Sequence, residues 1–385
     1  MLYNLTMQNN HLKIIGMMSG TSLDGIDACL VDIKCQNNNF EFEICAKHTL
    51  DYSEKIRKKI FDIANNHATT SDICNMNFVI GKLYAQCALE LIEKNNIPRN
   101  DIDYIAAHGQ TIFHITTPIA TDNISTASTL QIGNISVISE LTGIKTIGDF
   151  RSKDIVAGGQ GAPLVPFADE IIFKKDIPRA IQNIGGIGNV TILSPNCETF
   201  AFDTGPGNML IDYYMKKLYN MPFDKNGEIA RTGKIDENWL NKLLNNNYYQ
   251  LLPPKSTGRE LFNDQYAEEM LLYAPKEKQD VIATITALTA KTIANAYKDF
   301  VFPKTNIKEV VLGGGGAYNQ TLSSLLQKYL PDTIIKTHKH YDIDDKFKEA
   351  LAFALLGFCT ANDIPNNIPS CTGAKKRVIM GIISH

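Results

Sequence analysis

No apolar stretch in this sequence approaches the roughly 20 residues needed to cross a bilayer, so no membrane-spanning helix is expected. Positive charge is not in excess either. The formal net charge is −3 and no long basic run occurs, so the electrostatic footprint of a nucleic-acid or anionic-membrane binder is missing. Any phosphate must be held locally. The eight cysteines never form a Cys-x-x-Cys pair and sit mostly inside apolar stretches such as AQCALELI, which points to buried free thiols. MLYNLTMQNNHLK lacks the basic start, apolar run and small-residue cleavage site of an export signal, so a cytoplasmic location is expected.

Several motifs of other enzyme classes are also missing. The nearest approach to a P-loop, Thr372-Gly373-Ala374-Lys375-Lys376, lacks both its spacing and its hydroxyl. Gly186-x-Gly188 is followed by Val190-Thr191 where a dinucleotide fingerprint needs a third glycine. No serine sits in a Gly-x-Ser-x-Gly elbow, which disfavours acyl transfer. His108 and His114, and His338 and His340, lack the carboxylate spacing typical of a zinc site.

What is present is an ordinary globular composition, 44% hydrophobic and 21% charged, in 385 residues. That length exceeds what one hydrophobic core usually serves, so two lobes are expected, with a cleft available between them. Ile14–Met18 and Ile26–Ile33 read as strands joined by a polar turn, and residues 54–94 as two amphipathic helices. Asp103–Ala107 reads as a strand ending at His108-Gly109-Gln110-Thr111, and Lys145–Gly148 as one ending at Asp149-Phe150-Arg151. Past the glycine-dense segment Gly158–Pro163 the grammar repeats. Ala180–Ile184 and Val190–Leu193 flank the turn Gly185–Asn189, and Thr199–Phe202 leads into Asp203-Thr204-Gly205-Pro206-Gly207-Asn208 and a helix from Met209. Strands alternating with helices in two similar halves predict an α/β protein with functional loops at the carboxyl ends of strands. The arrangement suggested is the two-lobed actin-like ATPase fold of sugar kinases, Hsp70 and actin, with an interlobe cleft. The lobes are expected at 1–145 and 146–385, the final residues returning to the first.

Three polar glycine turns follow strands, at Ser19–Gly25, Gly185–Asn189 and Gly313–Gly316. Glycine admits positive φ and close approach of backbone N–H groups to phosphate oxygens. Taken singly, each turn also reads as a tight hairpin; their recurrence in both halves favours a nucleotide. Asp24 is placed to hold Mg²⁺ directly or through water, or to form an Asx turn. Asp203 reads as a general base or as a helix N-cap, the two roles being compatible. Asp149 and Arg151 suit a hydroxyl and a carboxylate, or a surface ion pair. His108 suits substrate contact or a structural hydrogen bond, and Glu349 complements a helix dipole.

Taken as a set, MSGTSLDGID at 18–27, HGQT at 108–111, DFRSKDIVAGGQGAPLVP at 149–166, NIGGIGN at 183–189, FDTGPGNMLID at 202–212, PKSTGRELFN at 254–263, GGGG with Asn319, and EALAF at 349–353 resemble the anhydro-N-acetylmuramic acid kinases. The resemblance runs from about Ile14 to Gly381, in family order. One departure is Gly188, where the family usually carries alanine. The resemblance implies a homodimeric cytoplasmic enzyme that uses ATP and Mg²⁺ to open 1,6-anhydro-N-acetylmuramic acid and phosphorylate it to N-acetylmuramic acid 6-phosphate, in peptidoglycan recycling. It implies a phosphate loop of Gly20, Thr21, Ser22, Leu23, Asp24, Gly25, Ile26 and Asp27, with Gly186, Gly314, Gly315 and Asn319 near the nucleotide. It makes Asp203 the base, and His108, Gln110, Thr111, Asp149, Arg151 and Glu349 the substrate contacts. Two other readings compete: an ordinary hexose kinase acting on a free hydroxyl, and a non-catalytic actin-like nucleotide switch.

Overall fold

The computed structural model describes residues 10–20, 22–37 and 39–385. The chain divides into two compact units: one ends at Ile172 and resumes at Lys346–His385, and the other is Phe173–Asp345. The first unit contains strands β1 (His11–Ser19), β2 (Gly25–Gln36), β3 (Asn39–Asp51), β4 (Tyr104–Thr121), β5 (Ile124–Ile132), β6 (Thr146–Gly148) and, from its returning segment, β12 (Ile382–Ser384). The second contains β7 (Arg179–Ile184), β8 (Ile187–Leu193), β9 (Phe200–Pro206), β10 (Glu309–Gly313) and β11 (Ile334–Thr337).

The first sheet has the order β12-β6-β4-β1-β2-β3 with β5 paired to β4, and the second β11-β10-β7-β8-β9. Within each, three strands meander antiparallel (β1-β2-β3, β7-β8-β9) and two join parallel (β4 and β6, β10 and β11). One strand order thus occurs twice, which is the duplicated actin-like topology expected from the sequence. The expected lobe division at 145/146 falls inside the first unit. The physical reason is β6, which pairs with β4 and is capped by β12, so that Thr146–Ile172 stays with the first sheet and the final residues do return.

β1 reads as an unbroken apolar run because both its faces are covered. Ile15 and Met17 join the core beneath the helix Thr70–Lys94, with Ile80, Tyr84 and Ala88. On the opposite face the helix Lys348–Ala361 packs against β1, β2 and β4. There a Cβ on Gly16 would stand 2.0 Å from the Ala350 carbonyl oxygen and 2.6 Å from the Ala354 nitrogen. The second unit has two cores. One lies between β7–β10 and the helix Lys278–Ala296; the other gathers Leu210, Trp239, Leu243, Phe262 and Val281 around the helices between residues 209 and 296. Trp239 is buried and donates its Nε1–H to the Met270 carbonyl at 3.0 Å. None of the eight cysteines is in a disulfide; five are buried, but Cys45 and Cys74 are exposed. Among the described residues no helix is long and apolar enough to cross a membrane.

Gly16 and Gly143 give a direct test of this packing. Gly143 is left-handed (φ 68°) with nothing within 4 Å of a built Cβ, so alanine there meets only backbone strain of about 1 kcal/mol. Gly16→Ala must displace helix backbone and is expected to cost about 3 kcal/mol in chemical denaturation. Equal losses in the two variants would contradict the close approach.

Candidate active site

In the first unit, β4 carries His108, Gln110 and Thr111 within the strand itself, which runs on to Thr121 instead of stopping at Ala107. His108 is buried, its Nδ1 lies 2.9 Å from the Gly109 carbonyl, and its Nε2 receives the Arg151 guanidinium at 3.0 Å from Nε and 2.9 Å from Nη2. A carbonyl only accepts and a guanidinium only donates, so Nδ1 carries the proton and the imidazole is neutral. Burial first, and the Arg151 charge second, hold its pKa well below the ordinary 6.5. The ring packs on Phe353, which also touches Phe150.

Arg151 gives a third bond, Nη1–H to the Gly161 carbonyl at 2.6 Å. Burial lowers its pKa to about 10 while Glu349 opposes that. Five N–H groups less these three leave one on each terminal nitrogen, the pair a carboxylate accepts. Glu349, on the first turn of the helix Lys348–Ala361, is exposed at its rim yet ringed by protein. That enclosure raises its pKa, while Lys348 and Arg151 draw it down. Asp149 is exposed and left-handed (φ 54°), and its Oδ1 accepts from the Ser152 hydroxyl at 2.6 Å and the Ser152 amide at 3.2 Å. It therefore starts the short helix that follows Arg151.

Gln110 is fully buried and its amide is spent on the first glycine turn. Oε1 accepts from Ser19 Oγ at 2.6 Å, and Nε2 donates to the Gly20 and Thr111 carbonyls, each at 3.2 Å. Tyr52 completes the chain by donating to Ser19 Oγ at 3.0 Å. Gln110 braces the turn, while Thr111 accepts from Gln131 at 3.2 Å. In the turn itself Leu23 closes onto the Gly20 carbonyl at 3.3 Å in a left-handed conformation (φ 60°), Ser22 and Asp24 are exposed, and Ile26 is buried in the core. Thr21 lies outside the described residues. A Cβ at Gly25 would stand 2.3 Å from the Leu50 carbonyl oxygen, so that glycine serves the approach of β3. Asp24 Oδ1 accepts from Arg57 at 2.8 Å, and Asp27 from Thr49 at 2.6 Å. Burial raises the Asp27 pKa, against Thr49 and Lys346. Among the described residues no group of three or more His, Cys, Asp or Glu is placed to hold a metal ion.

In the second unit Asp203 is not a helix cap. β9 continues through it to Pro206, and the helix Met209–Tyr219 is preceded by Asn208. Asp203 is gripped by the 248–257 segment. Its amide donates to the Lys255 carbonyl at 3.0 Å, its carbonyl accepts from Tyr248 Oη at 2.8 Å, and its Oδ2 accepts from the Thr257 amide at 2.9 Å. Oδ1 is left without a partner among the described residues. Burial raises the carboxyl pKa to about 6, with Thr257 opposing and Glu260 adding to it. Of these partners, Lys255 and Thr257 fall in the block PKSTGRELFN, while Tyr248 lies outside every motif of the sequence.

Three turns of this unit converge at the carboxyl ends of β7, β9 and β10. Gly207 and Asn208 donate to the Gly186 and Gly185 carbonyls, both at 2.8 Å, and Asn208 Nδ2 to the Ile184 carbonyl at 3.0 Å. Gly315 stands beside Asn208, and Gly314, left-handed at φ 75°, lies against Ile184 while its amide donates to Asp345 Oδ1 at 3.1 Å. Asn319 Oδ1 caps the helix Gln320–Tyr329 through Leu322 at 2.9 Å. A Cβ at Gly188 would stand 2.8 Å from Thr204 Oγ1, so alanine there asks that hydroxyl to shift. A cavity of about 1280 Å³ adjoins Gly186, lined by Asp212, Lys216 and Arg259 among others, and burial raises the Asp212 pKa to about 6.

The family model for anhydro-N-acetylmuramic acid kinase matches residues 12–385. The chain belongs to the anhydro-N-acetylmuramic acid kinase family. A protein of that name from Caldanaerobacter subterraneus subsp. tengcongensis is 45% identical over 381 residues, covering 96% of both chains. One from Clostridioides difficile is 44% identical over 376 residues, covering 96% of this chain and 97% of its own. Another from Francisella tularensis subsp. novicida is 40% identical over 378 residues, covering 96% and 98%. Among solved structures, component A of (R)-2-hydroxyglutaryl-CoA dehydratase from Acidaminococcus fermentans is similar at TM-score 0.47 and 15% identity, over 91% of this chain and 99% of that one. At that distance the strand order alone carries the fold. Within the anhydro-N-acetylmuramic acid kinase family, nearly the whole of this chain is accounted for.

The neutral His108 makes a stability prediction. Its folded pKa lies below the unfolded value near 6.5, so as pH falls through 6.5 the unfolded chain takes up the proton first and stability is lost. Between pH 7 and 5 the wild type is expected to lose up to about 1.4 kcal/mol more per pH unit than His108→Gln, whose amide oxygen still accepts from Arg151. Parallel denaturation profiles for the two would show that His108 is not held neutral.

Proposed function

We propose that this chain is an ATP-dependent kinase that hydrolytically opens 1,6-anhydro-N-acetylmuramic acid and phosphorylates it to N-acetylmuramic acid 6-phosphate in peptidoglycan recycling. Family membership supports the substrate. The single observation that carries the chemistry is Asp203, a carboxylate held by one oxygen, with no partner on the other among the described residues and a pKa raised to about 6. That places a base near the working pH, where proton transfer is most effective.

In the anhydro sugar the oxygen to be phosphorylated is tied to the anomeric carbon. Asp203 takes a proton from water as the water oxygen bonds to that carbon; the bond to the bridging oxygen breaks, and this oxygen bonds to the γ-phosphorus as ADP leaves. Arg151, with its two remaining N–H groups, receives the lactyl carboxylate, and His108, Thr111, Asp149 and Glu349 line the sugar's position. Gln110 acts through the turn it braces. The turns at Gly20–Asp27, Gly186 and Gly314–Gly315 serve the phosphates, Asn319 supports the last of them, and the cavity beside Gly186 offers Lys216 and Arg259 to a nucleotide. Mg²⁺ would neutralise phosphate charge, and Asp24 fits it as one ligand among phosphates and waters, since among the described residues its carboxylate meets only Arg57, through Oδ1. The homodimer implied by the family is supported by Phe113, Ile119, Ile124 and Leu130, exposed on the β4–β5 arm.

Turnover in heavy-oxygen water decides the reading. The product is expected to carry the label at its anomeric hydroxyl; labelled inorganic phosphate with intact anhydro sugar would discard it in favour of plain ATP hydrolysis. Asp203→Asn is expected to lower kcat about a thousandfold with ATP binding retained. The wild-type kcat/KM should fall as pH drops through about 6, because the base is lost on protonation. A flat acid limb would remove Asp203 from that role.

A further inference from the structure

We propose that Asp154 is a positioning residue that fixes Arg151 through the backbone of Gly161. Asp154 is fully buried. Among the described residues it forms no ion pair. Its carboxylate is met by three neutral donors: the Gly161 amide on Oδ2 at 2.9 Å, and Asn367 Nδ2 and Thr372 Oγ1 on Oδ1, each at 2.8 Å. A buried anion without a cation is costly, and one kept at such a place calls for a task.

Gly161 supplies that task. Its amide donates to Asp154 while its carbonyl accepts Arg151 Nη1 at 2.6 Å, so a single residue is stretched between an anion and a cation. It does this in a left-handed conformation (φ 70°), and a Cβ there would stand 2.9 Å from Ile155 Cγ1, so only glycine turns both groups outward at once. Gly159 is equally constrained, since its Cβ would lie 2.2 Å from Asp154 Oδ2. The loop is also tied to the returning segment by Gln160 N–H to the Thr372 carbonyl at 2.8 Å and Lys375 N–H to the Ala157 carbonyl at 2.9 Å. Of the three bonds that fix the guanidinium plane, two end on His108 and the third on Gly161. Without the third, the plane pivots about the His108 contact and the pair of N–H groups left for a carboxylate swings away.

The inference rests on the reading of Arg151 as the contact to the substrate carboxylate. Asp154→Asn keeps the size but presents an NH₂ to a set of donors. It is expected to raise the KM for the anhydro sugar about tenfold, with kcat and the KM for ATP within about twofold of wild type. In an Arg151→Lys background the same change is expected to add less than about twofold, because the group through which Asp154 acts is gone. Equal losses toward sugar and ATP, or multiplicative losses in the double variant, would reduce Asp154 to a packing role. Thr372→Val removes one donor from the same carboxylate with little change of shape. It should raise the sugar KM in the same direction by about two- to threefold, which keeps the test open if Asp154→Asn does not fold. The Arg151 Nε–H NMR signal reads the orientation without turnover. It is expected to be slowly exchanging in wild type and broadened in Asp154→Asn, and an unchanged signal would overturn the proposal. If the wild type leaves the sugar untouched, the functional reading fails and the Arg151 signal still decides this one.

Discussion

A titratable group withdrawn from water changes its proton affinity before any neighbour acts on it, and that desolvation governs the chemistry of both units. It pushes the Asp203 carboxyl up to about 6, holds His108 neutral and brings Arg151 down to about 10. Each shift would be ruinous if uncompensated. The surrounding structure is largely compensation: an amide from Thr257 for Asp203, a guanidinium for the lone pair of His108, and the Gly161 carbonyl for Arg151. Burial supplies the poise, and these few hydrogen bonds decide which atoms stay available to a ligand.

The compensation costs conformational freedom, which explains where the glycines and left-handed residues fall. Gly161, Gly314, Leu23 and Asp149 all sit at positive φ in or beside the loops that carry functional side chains. At Gly161, Gly314 and Leu23 this turns a backbone group toward its partner, and at Asp149 it brings the carboxylate to Ser152. The strands beneath are rigid because both faces of β1 are covered, so the turns at their ends inherit a fixed starting point.

Much of this was legible in the sequence. The duplicated grammar of strands and glycine turns gave the topology, since a polar glycine turn after an apolar run marks a strand's end wherever it occurs. The turn after Ile184 begins as read but is only Gly185 and Gly186, because Ile187–Asn189 join β8, and β10 runs one residue past Leu312 to Gly313. Failures came where a local signal yields to pairing. Gly205 and Pro206 read as a turn yet extend β9, because Gly188 and Ile187 of β8 pair with them. His108–Thr111 reads as the end of a strand yet stays within β4, because Gln110 pairs with both Ser19 and Ile132. Gln110 as a brace, and Asp203 in the grip of Lys255 and Thr257, depend on partners far away along the chain, which no spacing rule reveals. The same holds for Asp154, two of whose three donors stand more than 200 residues on, at Asn367 and Thr372.

That last separation bears on how the molecule is made. The second unit is one uninterrupted segment, whereas the first is assembled from both sides of it. On the ribosome the first sheet waits, its β6 edge uncovered and its Asp154 carboxylate unmet, while the whole of the second unit emerges and becomes free to fold. Only with β12 and the 366–376 segment does the first unit close. Synthesis order therefore lets the second unit be completed before the first, and any truncation near the carboxyl terminus strikes the sheet built from β1 onward.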